Sequence, residues 1–257
     1  MSQAIGRYLP LSPARRFIGD LVHFAKQVPT VPMQRRMSLA NVAAARHEAE
    51  PRPSWCAIFA KAFAIVAARR AEFRRAYISF PVARLYEHPI TIASVAIERK
   101  WNDEEAVFFA HLRAPDQQSL TQIDAHLRRC KEEPVENVGL FRRIYRMSRL
   151  PRPLRHFMWW YGLNTSGARR AKHLGTFGIS VTAGLGAASL HQLSPLTTAL
   201  NYGVFAEDGS LDVRLVYDHR VLDGGTVARA LAELEVVLHQ EITAELLAIR
   251  PSSDCAA

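Results

Sequence analysis

A short polar turn wedged between an apolar strand and an apolar helix constrains this chain more than any other stretch. From Leu215 to Leu238 the sequence reads LVYDHRVLDGGTVARALAELEVVL. Leu215, Val216 and Tyr217 suit a pleated, buried surface, and Gly224 and Gly225 open a turn. Val227, Leu231, Leu234, Leu238 and Ile242 then recur every three or four residues, so one stripe of a helix is buried. Between strand and helix stand His219 and Asp223. A strand end holds the next residue in place, and an imidazole that titrates near neutrality is suited to general-base work. Gly224 is read as permitting the turn. A histidine beside an aspartate is also a common surface arrangement, so these residues alone leave both readings open.

The chain has 257 residues, 49% of them apolar, which is enough for one sizeable core, and nothing in its pattern divides 1–257 into two units. The net charge of +9 comes from an arginine-rich composition, 28 Arg and 5 Lys against 24 acidic residues. Such an excess favours acidic partners: a nucleotide-bearing cofactor, an anionic membrane surface or nucleic acid. For nucleic acid there is no motif beyond charge, and a general arginine bias with solvated side chains explains the excess equally well. Cys56, Cys130 and Cys255 are odd in number and widely spaced, a poor disulfide framework, so a cytoplasmic protein is expected. The N-terminus lacks the apolar run of a signal peptide. The longest apolar stretch, 55–68, is interrupted by Lys61 and is too short to span a bilayer. The histidines show no metal-ligand spacing, and no zinc site is expected.

In chain order, 13–28 reads as an amphipathic helix within an N-terminal helical arm, 1–29. Residues 30–37 read as extended, and Ser38 is expected to cap a helix running to His47. Ser54 caps a further helix with Ile58, Phe59, Phe63, Ile65 and Val66 on a wide apolar face. From Tyr77 to Ala110 the pattern turns to strands, with WNDEE as a polar connection between ITIASVAIER and EAVFFAHL. Ser119 opens a helix closed by Pro134. The segment 138–170 sets eight arginines among Phe141, Tyr145, Phe157, Trp159, Trp160 and Tyr161. Three readings stay open there: a basic amphipathic surface in peripheral contact with a membrane, a cluster holding coenzyme A phosphates, or two packed helices whose aromatics are core and whose arginines face water. The loop GLGAAS lacks a Walker lysine and the full GxGxxG spacing, which argues against a phosphate loop.

Two blocks together carry a resemblance. YDHRVLDG, followed by a helix opening GTVARAL, resembles the HxxxDG signature of the acyltransferase (E2) catalytic domain of 2-oxoacid dehydrogenase complexes, which shares the chloramphenicol acetyltransferase fold. The stretch GTFGIS, a glycine-containing loop and a second strand closing at Gly203 resemble the block that precedes that signature in the same domains. The resemblance implies an α/β fold with a mixed β-sheet covered by helices. It implies acyl transfer from a coenzyme A thioester or a carrier-bound acyl group to a thiol, hydroxyl or amine acceptor, without a covalently bound cofactor or a metal. On this reading His219 removes the acceptor's proton, Ser180 stabilises the oxyanion, and Asp223 makes a salt bridge that holds the turn, with Arg220, Arg35 or Arg36 as partner. A homotrimer follows by the same analogy, with active sites between subunits, His219 on one side and Ser180 on the other. The chain leaves no room for lipoyl or subunit-binding domains, so a free-standing acyltransferase is expected, with a catalytically idle trimeric scaffold as the alternative.

Overall fold

The computed structural model describes residues 6–101 and 104–249. In chain order the elements are α1 (Pro13–Ala25), β1 (Thr30–Ser38), α2 (Ala40–Glu48), α3 (Trp55–Arg69), β2 (Arg75–Ile78), β3 (Arg84–Glu87), β4 (Ile92–Trp101) and β5 (Glu104–Arg113). There follow α4 (Leu120–Glu132), α5 (Gly139–Ser148), α6 (Arg152–Asn164), α7 (Gly167–Leu174), β6 (Phe177–Ile179), β7 (Thr198–Tyr202), β8 (Ser210–Asp218), α8 (Gly224–Val237) and α9 (Thr243–Ala248).

A six-stranded mixed sheet in the order β1-β8-β7-β6-β4-β5 is the frame. Strand β6 runs parallel to both β4 and β7, and the remaining pairs are antiparallel. Because successive side chains alternate between faces, each strand divides its residues between two environments. One face carries the large apolar residues Val95, Ile97, Phe108, Leu112, Phe177, Ile179 and Leu200, all in the main core. Helix α3 lies on that face, with Phe63 edge-on to Phe177 at 4.9 Å and Phe59 stacked on Tyr202 at 4.3 Å. The alternate residues on β4, β6 and β7 include the small Ser94, Ala96, Gly178 and Ala199, while β5 sets Val107, Phe109 and His111 on this face. Helices α1, α5, α6 and α7 stand over this second face, so the small residues leave a space that the helices enclose without filling.

Local chemistry accounts for the ends of the helices. Ser12 accepts a hydrogen bond from the Arg15 amide, Ser54 from the Ala57 amide, and Ser119 with Gln122 forms a reciprocal capping box. The cap expected at Ser38 is not made: Ser38 is the last residue of β1, and α2 begins without a side-chain cap. Pairing of β1 with β8 out to Ser210 holds Ser38 in the ladder. Of the expected WNDEE connection, Asn102 and Asp103 lie outside the described residues, while Trp101 pairs with Glu104 across the hairpin. Gly175 is required where it stands. Its φ of 86° is left-handed, and a Cβ there would meet the Ile92 carbonyl oxygen at 2.8 Å.

The segment 138–170 folds as α5, α6 and the start of α7. Phe141 and Trp159 are buried, while Phe157, Trp160 and Tyr161 are exposed. Most of its arginines face water, but Arg155 and Arg170 do not. Arg155 grips Asp20 of α1 through two hydrogen bonds, 2.6 and 3.1 Å, and donates a third to the Leu150 carbonyl at 2.9 Å. Hydrogen bonding to Asp20 raises the Arg155 pKa above its ordinary value. The pair ties α1 to α6 across the second face. Breaking a buried pair strands the remaining charge, so Asp20→Ala is expected to cost about 3–5 kcal/mol of stability, read as a lower urea midpoint at unchanged m-value.

Candidate active site

His219 sits one residue beyond β8, where the chain leaves the sheet. Its amide donates to the Pro29 carbonyl at 3.1 Å, which docks the turn against the chain entering β1. The imidazole is about half exposed, 51%, and its Nδ1 lies 3.8 Å from an Asp223 carboxylate oxygen. Asp223 is the residue before α8, but its side chain accepts no capping bond and is 88% exposed.

The anchor of this turn is a different aspartate. Asp218 is fully buried and accepts from the Arg220 amide at 3.0 Å, from Arg220 Nε at 2.9 Å and from Arg220 Nη2 at 2.8 Å. The Arg220 guanidinium stacks over the Tyr77 ring at 4.3 Å. The Tyr77 carbonyl accepts from buried Arg170, which also donates to the Pro195 carbonyl. Burial pushes the Arg170 pKa down to about 10, and Asp218 partly offsets this, so the guanidinium remains charged at neutral pH. The expected salt bridge from Asp223 is therefore corrected. Arg220 pairs with Asp218, Arg35 with Glu235 at 2.8 Å, and Arg36 with Ser210 and Asp208. A carboxylate sealed from water needs its cation more than an exposed one does, and Asp218 is the sealed one. Gly224 has no left-handed φ and stands at the first position of α8, where a Cβ would make ordinary contact with Met33 and Tyr217. The turn does not require it.

Ser180 follows β6. Its amide donates to the Leu200 carbonyl at 3.2 Å and its carbonyl accepts from Asn201 Nδ2 at 2.7 Å. The main chain is thus fixed, and among the described residues the hydroxyl is uncommitted. Alternation places Ser180 on the small-residue face, in the wall of a cavity of about 410 Å³. His219 is not part of that wall. The register shows why: Ile179 pairs with Leu200 and Leu200 with Leu215, so Ser180 is level with Asn201 and Arg214. From Arg214 to His219 is five residues along β8, roughly 17 Å at the rise of a strand, before two interstrand steps of about 4.8 Å are added. One chain therefore does not bring the two expected residues together.

Polar groups that the sequence reading missed lie level with Ser180 on β7 and β8. Asn201 and Arg214 share the cavity side of β7 and β8, and among the described residues Asn201 Oδ1 and Arg214 Nη1 are buried without partners. Arg214 Nε donates to Gln34 at 2.7 Å. Their signal in the sequence is a polar residue interrupting an apolar strand, TALNY and DVRLVY. Among the described residues no three His, Cys, Asp or Glu side chains cluster as metal ligands do.

Sheet order, the strand-end histidine and the helix that follows it define an α/β fold of the chloramphenicol acetyltransferase type. The chain is similar to the solved dihydrolipoamide acetyltransferase of Azotobacter vinelandii, an enzyme investigated for the role of a serine, a histidine and an asparagine in its catalytic mechanism, with 20% identity over 95% of each chain and a TM-score of 0.69. It is similar to a probable dihydrolipoamide acetyltransferase from Listeria monocytogenes, with 15% identity, 98% of each chain covered and a TM-score of 0.65. With chloramphenicol acetyltransferase it shares 14% identity over 89% of this chain and 96% of that one, at a TM-score of 0.51. No protein-family profile matches the chain, and no curated protein matches it in sequence.

Three histidines are held neutral well below their ordinary range. Burial, with Arg170 and Arg74 nearby, lowers His88 from 6.5 to about 4. His111 and His173, both in the cavity wall, fall to about 4, His111 through burial and the nearby His173, and His173 through burial and the nearby Arg143. Between pH 6.5 and 4 the unfolded chain binds protons that the folded chain refuses, so stability is full above that window and falls as pH drops through it. The urea midpoint is expected to decline from pH 7 to 4.5, and His88→Gln is expected to make that decline shallower.

Proposed function

We propose that this protein is an acyltransferase that moves an acyl group from a coenzyme A or carrier-bound thioester to a thiol, hydroxyl or amine, with the reaction run by His219 of one subunit and Ser180 of the next in a homotrimer. The observation that carries the reading is the placement of Ser180 and His219 at opposite ends of one rigid sheet, in the sequence blocks that resemble those of E2 catalytic domains. Two residues that cannot meet within a chain can meet only across two. The exposed imidazole and the unpaired buried groups beside Ser180 supply the two halves of such a junction. The Azotobacter enzyme, with a serine and a histidine named in its mechanism, and the cubic core of a pyruvate dehydrogenase complex, at 18% identity and a TM-score of 0.66, lend the reading support at the level of fold.

The chemistry follows from what thioester exchange needs. A neutral His219 nitrogen takes the acceptor's proton as the acceptor attacks the acyl carbonyl, because a protonated thiol or hydroxyl is a weak nucleophile. The tetrahedral oxygen then carries a full negative charge, and the Ser180 hydroxyl donates to it where the charge develops. Collapse expels the thiolate of the donor, which regains a proton from the imidazolium. Asp218 and Arg220 hold the turn, and Asp223 near the outer face of the ring favours the imidazolium that forms in passing.

His219→Ala is expected to lower thiol release from acyl-coenzyme A by at least about 10²-fold, and Ser180→Ala by about 10²–10³-fold. Co-assembling the two inactive variants in equal amounts rebuilds about a quarter of the sites if each site draws on two subunits of a symmetric oligomer. No recovery in the mixture, with both variants oligomeric, would sink the shared site.

A second contact is proposed from α6, whose Leu154, Phe157, Trp160 and Tyr161 are exposed beside Arg152 and Arg169. Such a face suits peripheral attachment to an anionic membrane. Sedimentation with phosphatidylserine vesicles is expected to carry the protein down, and Phe157→Ser with Trp160→Ser to abolish this.

A further inference from the structure

The cavity beside Ser180 has more room and more chemistry than the transfer step uses. It measures about 410 Å³, within the range of small-molecule sites, ~300–1,000 Å³. Its origin is the pattern of the sheet: Ala96, Gly178 and Ala199 present almost no side chain to the space, while Ile144, Met147 and Met158 roof it from α5 and α6. Protein interiors otherwise close to crystal-like density. A void of this size lined by apolar groups is costly when empty and is poorly filled by water, which needs polar partners.

We infer that this cavity takes the hydrocarbon chain of a medium- to long-chain acyl thioester, with the acyl carbonyl at Ser180. The inference rests on the acyl-transfer reading and adds to it the substrate class. The carbonyl carbon has two other substituents besides its oxygen. One is the thiol side, which in coenzyme A carries phosphates and does not enter an apolar space; the other is the acyl chain, which does. At about 30 Å³ for a group of the size of water or a methylene, the cavity holds on the order of ten methylenes.

Two donors in the same wall point to an occupant with an acceptor. Trp159 is only 4% exposed, and among the described residues neither its Nε1 nor the buried Nε2 of Gln192 has a partner. A buried N–H left without an acceptor is costly. An acyl thioester brings one acceptor, its carbonyl oxygen, into the space that Ser180, Trp159 and Gln192 line together, and its chain covers the apolar wall.

The test measures binding apart from turnover. Unreactive S-alkyl-coenzyme A thioethers of two, eight and twelve carbons are titrated calorimetrically into the wild-type oligomer, into Ala96→Phe and into Ala96→Leu, which narrow the cavity by different amounts. Affinity is expected to rise by up to about fourfold per added methylene, the ratio that corresponds to ~0.8 kcal/mol for each one buried, and at least a hundredfold from two to twelve carbons. Both variants should lose twelve-carbon binding, the Phe variant more, and keep two-carbon binding. Affinity independent of chain length, no binding of any thioether, or variants that bind twelve carbons as tightly as wild type would each overturn the inference. Thiol release is followed in parallel on the matching thioesters. Release without chain-length preference retains acyl transfer and removes the chain assignment, whereas chain-dependent binding with no release by any thioester removes acyl transfer and keeps the cavity's ligand class.

Discussion

The register of the central strands is the constraint from which the rest of the molecule follows. With β6 and β7 parallel and β8 running back between β7 and β1, a residue that follows β6 and a residue that follows β8 must leave the sheet at opposite ends. Ser180 and His219 are those residues. Both positions are rigid because strand ladders fix the backbone up to the residue before each. The separation is therefore structural, and side-chain rotation cannot close it.

What fixes the histidine end is a buried chain of charge and aromatic contact. Asp218 has no access to water and is compensated by Arg220, which stacks on Tyr77, which in turn is tied by its carbonyl to Arg170. Each member restrains the next, so the turn inherits the rigidity of β2, α7 and the loop before β7. Asp223 lies outside this chain, free to act on the imidazole by charge. At the serine end the arrangement is reversed: the main chain is satisfied, while Asn201 Oδ1 and Arg214 Nη1, level with Ser180 on β7 and β8, have no partner among the described residues. One end is complete and presents its imidazole outward, and the other is incomplete and recessed.

The arginine-rich segment shows how far pattern carries. The mixture of charged and aromatic residues from Val138 to Arg170 admits packed helices as one of three readings. It could not say that Arg155 and Arg170 would be interior. Those two differ from their neighbours in having a partner elsewhere in the chain, Asp20 for one and the Tyr77 and Pro195 carbonyls for the other. A partner more than a hundred residues away, as Asp20 is, leaves no periodic trace. Ser38 failed as a cap for a related reason, since long-range pairing with β8 outweighed a local hydrogen bond.

The sequence by itself determined most of the elements and marked the two blocks around Ser180 and His219, because helix stripes, strand alternation and serine caps are set by neighbours along the chain. It also determined which face Ser180 occupies, since FGIS alternates large and small and its serine falls with the small. Tertiary structure alone decided that Asp218, and not Asp223, anchors the turn, that Asn201 and Arg214 lie level with Ser180, and that the small residues of three separate strands combine into one cavity. Those outcomes depend on strand order and register, which arise from the burial of all the apolar surfaces together and are written in no single stretch of the chain.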